Sequence, residues 1–182
     1  MIRPLDLAAL ADTEALNRLV AAYSRAIDRR DFAALRALYL PEGTDTHGKD
    51  FDGAIDGYVA YVQRALSAYA ATAHYVAQTA FVITGDRAEG EVHKINYHRT
   101  SGTDPRHVIT GSRSLDHYAR RDGAWFFASR HVVIDWVDRR AADPADWDDP
   151  AAGSERGQPD RTDASYRVIP GFAQAKRQGE RP

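Results

Sequence analysis

The chain has 182 residues, 43% of them hydrophobic and 27% charged, the balance of one soluble globular domain with a sizeable core. Its formal net charge is −2, and its basic residues form pairs (Arg29-Arg30, Arg120-Arg121, Arg139-Arg140) rather than tracts, which gives no electrostatic case for nucleic acid or an anionic membrane. Cysteine is absent, which excludes disulfides, thiol catalysis and thiolate metal sites. No apolar run approaches the roughly 18 residues of a membrane span and the N-terminus lacks a secretory pattern, so a cytoplasmic protein is expected.

The first helix is expected to start at Asp12, whose carboxylate can accept from the free N–H groups of the first turn. Leu16, Leu19, Val20, Tyr23 and Ile27 then form one apolar stripe at helical spacing. Asp28 lies off that stripe, because five residues beyond Tyr23 is a rotation of about 500°, or roughly 140° round the helix. Its role is therefore not core packing. Asp31 caps a second helix with Phe32, Leu35, Leu38 and Tyr39 on its buried face, and Pro41-Glu42-Gly43 ends it. A short strand over Thr44–His47 and a Gly/Asp loop lead to a third helix, from Ala54 to Ala70, with Ile55, Val59, Val62, Leu66 and Tyr69 on one side.

After the third helix the period becomes alternating. Thr72–Ile83, Ala88–Thr100, Arg106–Arg120 and Ala124–Val137 read as four strands. Gly85-Asp86, Gly102-Thr103-Asp104-Pro105 and Asp122-Gly123 are the hairpin signals between them. Strands this long in a small protein predict a strongly bent sheet. Three helices followed by a meander predict an α+β fold, with helices closing one face of a curved antiparallel sheet. From Asp138 the pattern gives way to Pro, Asp, Gly and Arg. The domain is thus expected over residues 1–137, with a polar extension over 138–182. That extension is either a free tail or an arm over the pocket or a neighbouring subunit, pinned by Trp147, Tyr166, Val168, Ile169 and Phe172.

Alternation puts His74, Val76 and Gln78 on one strand face. With a two-residue Gly85-Asp86 turn, His74 pairs with Tyr97 and Gln78 with His93, which gathers four polar side chains against a pocket. A neutral imidazole can take a proton near pH 7, and a carboxylate on its other nitrogen sets the tautomer and stabilises the imidazolium. Asp28 is the candidate carboxylate, and Tyr23 can donate to a leaving oxygen or a carbonyl. The alternatives are a hydrogen-bonded strand histidine, a helix-end carboxylate and a core aromatic. Arg130 interrupts an apolar strand, as either a buried or pocket-lining guanidinium or an exposed-edge arginine. A two-residue Asp122-Gly123 turn puts it on the face opposite Asp116, whereas a three-residue loop puts both on one face. No metal-ligand spacing, phosphate loop, dinucleotide fingerprint or nucleophile elbow is present, so no metal or cofactor is expected.

The order of elements resembles the SnoaL-like branch of the nuclear-transport-factor-2-like superfamily from about Leu7 to Val137. The run Gly111-Ser112-Arg113-Ser114-Leu115-Asp116-His117-Tyr118-Ala119-Arg120-Arg121-Asp122-Gly123-Ala124-Trp125 is similar to that branch's last-hairpin signature. The resemblance implies a cone-shaped barrel. Asp28 and His74, in Ala26-Ile27-Asp28 and Thr72-Ala73-His74-Tyr75, match the Asp–His dyad of the hexachlorocyclohexane dehydrochlorinases, and Arg130 falls on their pocket arginine. The Tyr23 to Asp28 spacing is more similar to bile-acid 7α-dehydratase, and scytalone dehydratase is a more distant relative. His93 departs from the pattern, standing near where related enzymes offer an acid.

The expected activity is a cofactor-independent, dehydratase-type elimination on a hydrophobic cyclic small molecule. Asp28, His74, Tyr23 and Arg130 would be the catalytic residues, and Tyr97, His93, Gln78 and Asp116 would bind substrate. The alternatives are a ketosteroid-isomerase-like or polyketide-cyclase-like enzyme with the same base, or a non-catalytic binding module. A homo-oligomer is expected, a trimer ahead of a dimer, because the outer sheet face needs covering.

Overall fold

The computed structural model describes residues 6–143 and 153–171. Helix α1 spans Leu7–Asp28. It starts five residues earlier than expected because Asp6, not Asp12, is the cap: its Oδ1 accepts from the Ala9 amide at 2.8 Å. The alanine-rich turn that follows has high helix propensity. Asp12 instead sits mid-helix, where its Oδ1 accepts from Trp125 Nε1 at 2.9 Å and Arg120 Nη1 at 2.7 Å.

A short α2 (Phe32–Ala37) follows, capped by Asp31 as expected. Tyr39 belongs to strand β1 (Tyr39–His47) rather than to that helix. Pro41 lies inside β1, where the pairing with the neighbouring strand is interrupted between Tyr39 and Thr44, so its missing N–H costs no ladder bond. Strand β2 (Phe51–Ala54) and helix α3 (Ile55–Leu66) come next. Tyr69, expected on α3, opens strand β3 (Tyr69–Thr84). The meander continues as β4 (Arg87–Thr100), β5 (Arg106–Arg121) and β6 (Ala124–Ala141).

The sheet has six strands in the order β2-β1-β6-β5-β4-β3. It is mixed rather than purely antiparallel, because β1 runs parallel to β6. The sheet curls without closing. Helix α1 packs mainly on β3, and α3 on β1 and β2. The core joins the α1 stripe (Leu16, Leu19, Val20, Tyr23, Ile27) to Leu35, Ile55, Tyr58, Val92, Tyr118 and Phe127. Among the described residues no helix is long and apolar enough to cross a membrane.

Three irregularities shape the inner wall. Between β3 and β4 the register shifts at Ala77, so Gln78 pairs with His93 but His74 pairs with Asn96. Between β5 and β6 it shifts at Ala128, so Tyr118 pairs with Phe127 but Asp116 pairs with Arg130. A further shift lies between Gly111 and Ser112. Each bulge inserts one residue and reverses which side chains face inward.

The segment 153–171 lies against the C-terminal end of α1. Arg29 Nη1 donates to the Gln158 carbonyl at 3.0 Å, and Arg29 Nε is 3.3 Å from Asp163. The Arg25 guanidinium sits 5.1 Å from the centre of the Tyr166 ring. The short helix α4 (Ala164–Val168) carries Tyr166. Val168 and Ile169, expected as anchors, are exposed. Trp147 and Phe172 lie outside the described residues.

Candidate active site

Asp28 is the last residue of α1, where the helix end meets the first half of β3. Its carboxylate takes three donors from that strand. Oδ1 accepts from Thr72 Oγ1 at 2.9 Å, Oδ2 accepts from the His74 amide at 2.9 Å, and His74 Nδ1 is 2.7 Å from Oδ1. Burial alone would raise the Asp28 pKa, but hydrogen bonding and charge from His74 and the Thr72 hydroxyl lower it on balance. An ionised Asp28 fixes the His74 proton on Nδ1 and leaves Nε2 as the basic nitrogen. Both side chains are nearly enclosed, at 13% exposure for His74 and 14% for Asp28.

His98 stands edge-on to His74, ring centres 5.2 Å apart at 90°. Burial and the neighbouring His74 lower its pKa to about 4. His98 therefore stays neutral and adds no charge beside the pair. Since the unfolded chain protonates this ring near pH 6.5 and the folded chain only near 4, the stability it contributes is present above the first value and is lost as pH falls toward the second. The loss is up to about 3 kcal/mol. Urea unfolding of wild type and His98→Gln between pH 7 and 4.5 measures it; parallel pH curves for the two proteins would refute it.

Arg130 and Asp116 share the inner face, at 0% side-chain exposure each. Arg130 Nε donates to Asp116 Oδ1 at 2.8 Å and Nη2 to Oδ2 at 2.7 Å, a two-pronged pair. Arg121 pairs with Ala124, so the turn has two residues, with Asp122 and Gly123 at φ of 52° and 79°. That turn predicts opposite faces, and the bulge at Ala128 reverses the outcome. Arg130 Nη1 is buried with no hydrogen-bond partner among the described residues.

Tyr23 packs its ring 4.0 Å from the Arg130 guanidinium. Its hydroxyl makes a short hydrogen bond to the Tyr58 hydroxyl. Burial, and Asp45 nearby, push its pKa up to about 12, so it is a proton donor at neutral pH. Behind it lies a second carboxylate–imidazole pair: Tyr39 donates to Asp45 Oδ2 at 2.6 Å, and His47 Nδ1 is 2.7 Å from Asp45 Oδ1.

The expected cluster of His74, Gln78, His93 and Tyr97 does not form. Gln78 is exposed. His93 bonds to Glu91 at 2.8 Å beside Arg113, and Tyr97 to His107 at 3.0 Å, all on the outer face. The bulge at Ala77 is the reason: alternation holds on each side of it, with opposite sense. The inner wall of β4 is instead Val92, Lys94, Asn96 and His98. Asn96, opposite His74, donates through Nδ2 to Ser112 Oγ at 2.8 Å, and its buried Oδ1 has no partner among the described residues. Lys94 is 6% exposed, with its ammonium nitrogen 4.9 Å from the Tyr23 ring centre.

A curled mixed sheet covered by three N-terminal helices defines the nuclear-transport-factor-2-like class of cone-shaped α+β proteins, with the Asp28–His74 pair on its inner wall. Within that class the chain belongs to the SnoaL-like family, whose profile matches residues 8–131. Among solved structures it is similar to a provisionally assigned scytalone dehydratase from Novosphingobium aromaticivorans, at 20% identity and TM-score 0.66 over 81% of this chain and 97% of that one. It is also similar to a type 2 hexachlorocyclohexane dehydrochlorinase, at 18% identity and TM-score 0.67 over 77% and 99% of the two chains. A type 3 form from Novosphingobium barchaimii matches at 16% identity and TM-score 0.67 over 76% and 97%. No curated protein sequence matches. At these identities the likeness is one of fold.

Proposed function

We propose that the protein is a cofactor-independent lyase carrying out a dehydratase-type 1,2-elimination on a hydrophobic cyclic small molecule. The observation that carries this reading is the 2.7 Å contact between Asp28 and His74 Nδ1, which leaves Nε2 to act as base. His74 takes a proton from carbon, and the freed electron pair forms the double bond as the carbon–oxygen or carbon–halogen bond breaks. Asp28 orients the ring and stabilises the imidazolium. Arg130 Nη1, buried and unpaired among the described residues, stabilises developing negative charge on oxygen, and Tyr23 is the second donor. Structural relatives named for dehydration and dehydrochlorination support the same reaction class. A homo-oligomer, a trimer ahead of a dimer, would cover exposed Tyr75, Val82, Ile134 and Trp136 on the sheet.

The test is mass balance. Wild type is incubated with a panel of cyclic hydroxy and halo compounds, with His74→Ala as the blank, and products are weighed by mass spectrometry. Loss of water or halide that depends on His74 is the expected result. Conversion at conserved mass would place the protein with the isomerases or cyclases, and full turnover by His74→Ala would remove His74 as the base.

A further inference from the structure

Lys94 is an inner-wall side chain that the Asp28–His74 reading leaves unused. The chain has three lysines among its 24 basic residues, so nearly all its cations are arginines, which cannot lose their proton. The lysine at 94 can. It lies on β4, opposite Val76, one inward position from Asn96, which pairs with His74. Two residues of strand span about 7 Å. Among the described residues its nitrogen has no hydrogen-bond or ion-pair partner, and it meets the Tyr23 ring, which Arg130 also contacts.

Lys94 meets the Tyr23 ring of α1, which Arg130 of β6 also contacts, and the charges that act on it are those of Arg130, Asp116 of β5 and Asp45 of β1. Burial lowers the ammonium pKa most and Arg130 lowers it further, while Asp116 and Asp45 oppose them, leaving a value of about 7. A lysine that is desolvated beside another cation is the arrangement that makes an amine nucleophilic at neutral pH.

We infer that Lys94 captures a carbonyl: it condenses with an aldehyde or ketone group of an apolar substrate to form a Schiff base on the inner wall, over the Tyr23 ring that Arg130 also contacts and one inward position along β4 from the partner of His74. The Nζ lone pair attacks the carbonyl carbon, forming C–N while the π pair moves to oxygen. The carbinolamine takes up a proton and expels its oxygen as water, leaving a protonated imine. Hydrolysis reverses the step. Capture stands on Lys94 alone; its consequence rests on the proposed elimination, because the iminium would accept the electron pair released when His74 takes the neighbouring C–H proton. The substrate class is then a carbonyl compound with a leaving group β to the carbonyl.

The experiment is reductive trapping with benzaldehyde and cyanoborohydride at pH 7, followed by peptide mass mapping. An ordinary lysine, with a pKa of about 10.4, is neutral in only about one copy in 2,500 at that pH. Lys94 is expected to carry the benzyl adduct at least tenfold ahead of exposed Lys49, with the preference lost in urea. Labelling of Lys49 ahead of Lys94 would overturn the inference, and the wild-type comparison needs no variant to fold. His74→Ala keeps the Lys94 adduct while losing turnover. Trapping that fails where turnover still depends on His74 sinks capture alone, whereas trapping without any His74-dependent turnover sinks elimination alone.

Discussion

Asp28→Asn is expected to lower kcat/KM about 10³- to 10⁴-fold while leaving the fold intact. The carboxylate accepts from three donors at once: the Thr72 hydroxyl, the His74 amide and His74 Nδ1. An asparagine has one acceptor oxygen and an NH₂ group. If the oxygen keeps the backbone amide, the NH₂ faces Nδ1 and moves the imidazole proton to Nε2, the atom meant to act as base. A carboxylate-to-amide change that reverses a histidine tautomer costs about 10⁴ in the serine-protease triad. Steady-state rates beside an unchanged circular dichroism spectrum measure the effect. A loss smaller than tenfold would mean that Asp28 does not set the His74 tautomer.

The second large effect is on stability. Asp116→Ala is expected to cost about 3–5 kcal/mol, because it strands a buried guanidinium. Arg130 and Asp116 are both fully enclosed, and Asp116 also accepts from Tyr118 at 2.8 Å and Ser114 at 3.2 Å. Its pKa is held down by Arg130 against the opposing effect of burial, so the pair is ionised. Arg130→Met combined with Asp116→Leu should recover most of that loss, since removing both charges also removes both desolvation penalties. Urea unfolding of the single and double variants measures the coupling. Equal losses in both would mean that packing, not the stranded charge, sets the cost.

The elements were largely legible from spacing. The α1 stripe, the Asp31 cap and the two-residue Gly85-Asp86 turn all stand, whereas the length of the Asp122-Gly123 turn, left open by the sequence, is set by the pairing of Arg121 with Ala124. Asp28, read as off the core stripe, does face a polar partner. The register of the inner wall was not legible. In β4, Ile95 and Tyr97 offer one plausible inward face, and Val92, Lys94, Asn96 and His98 offer another. The apolar count favours the first, whereas the structure uses the second. Alternation therefore does not single out Lys94 or His98, although a lysine standing in so arginine-rich a chain is a visible signal for the former.

What the amino-acid sequence by itself determined is the set of periodic elements and their order, because helical and alternating spacing are local properties, written within a dozen residues. That order is also enough for the SnoaL-like resemblance, which the profile match over residues 8–131 bears out. Which side chains meet was decided by tertiary structure. One extra residue at Ala77 and one at Ala128 reverse the sense of two strands, taking Gln78 and His93 off the inner wall and bringing Arg130 onto Asp116. A bulge is selected by sheet curvature and by packing against α1, and neither is a property of the few residues that form it.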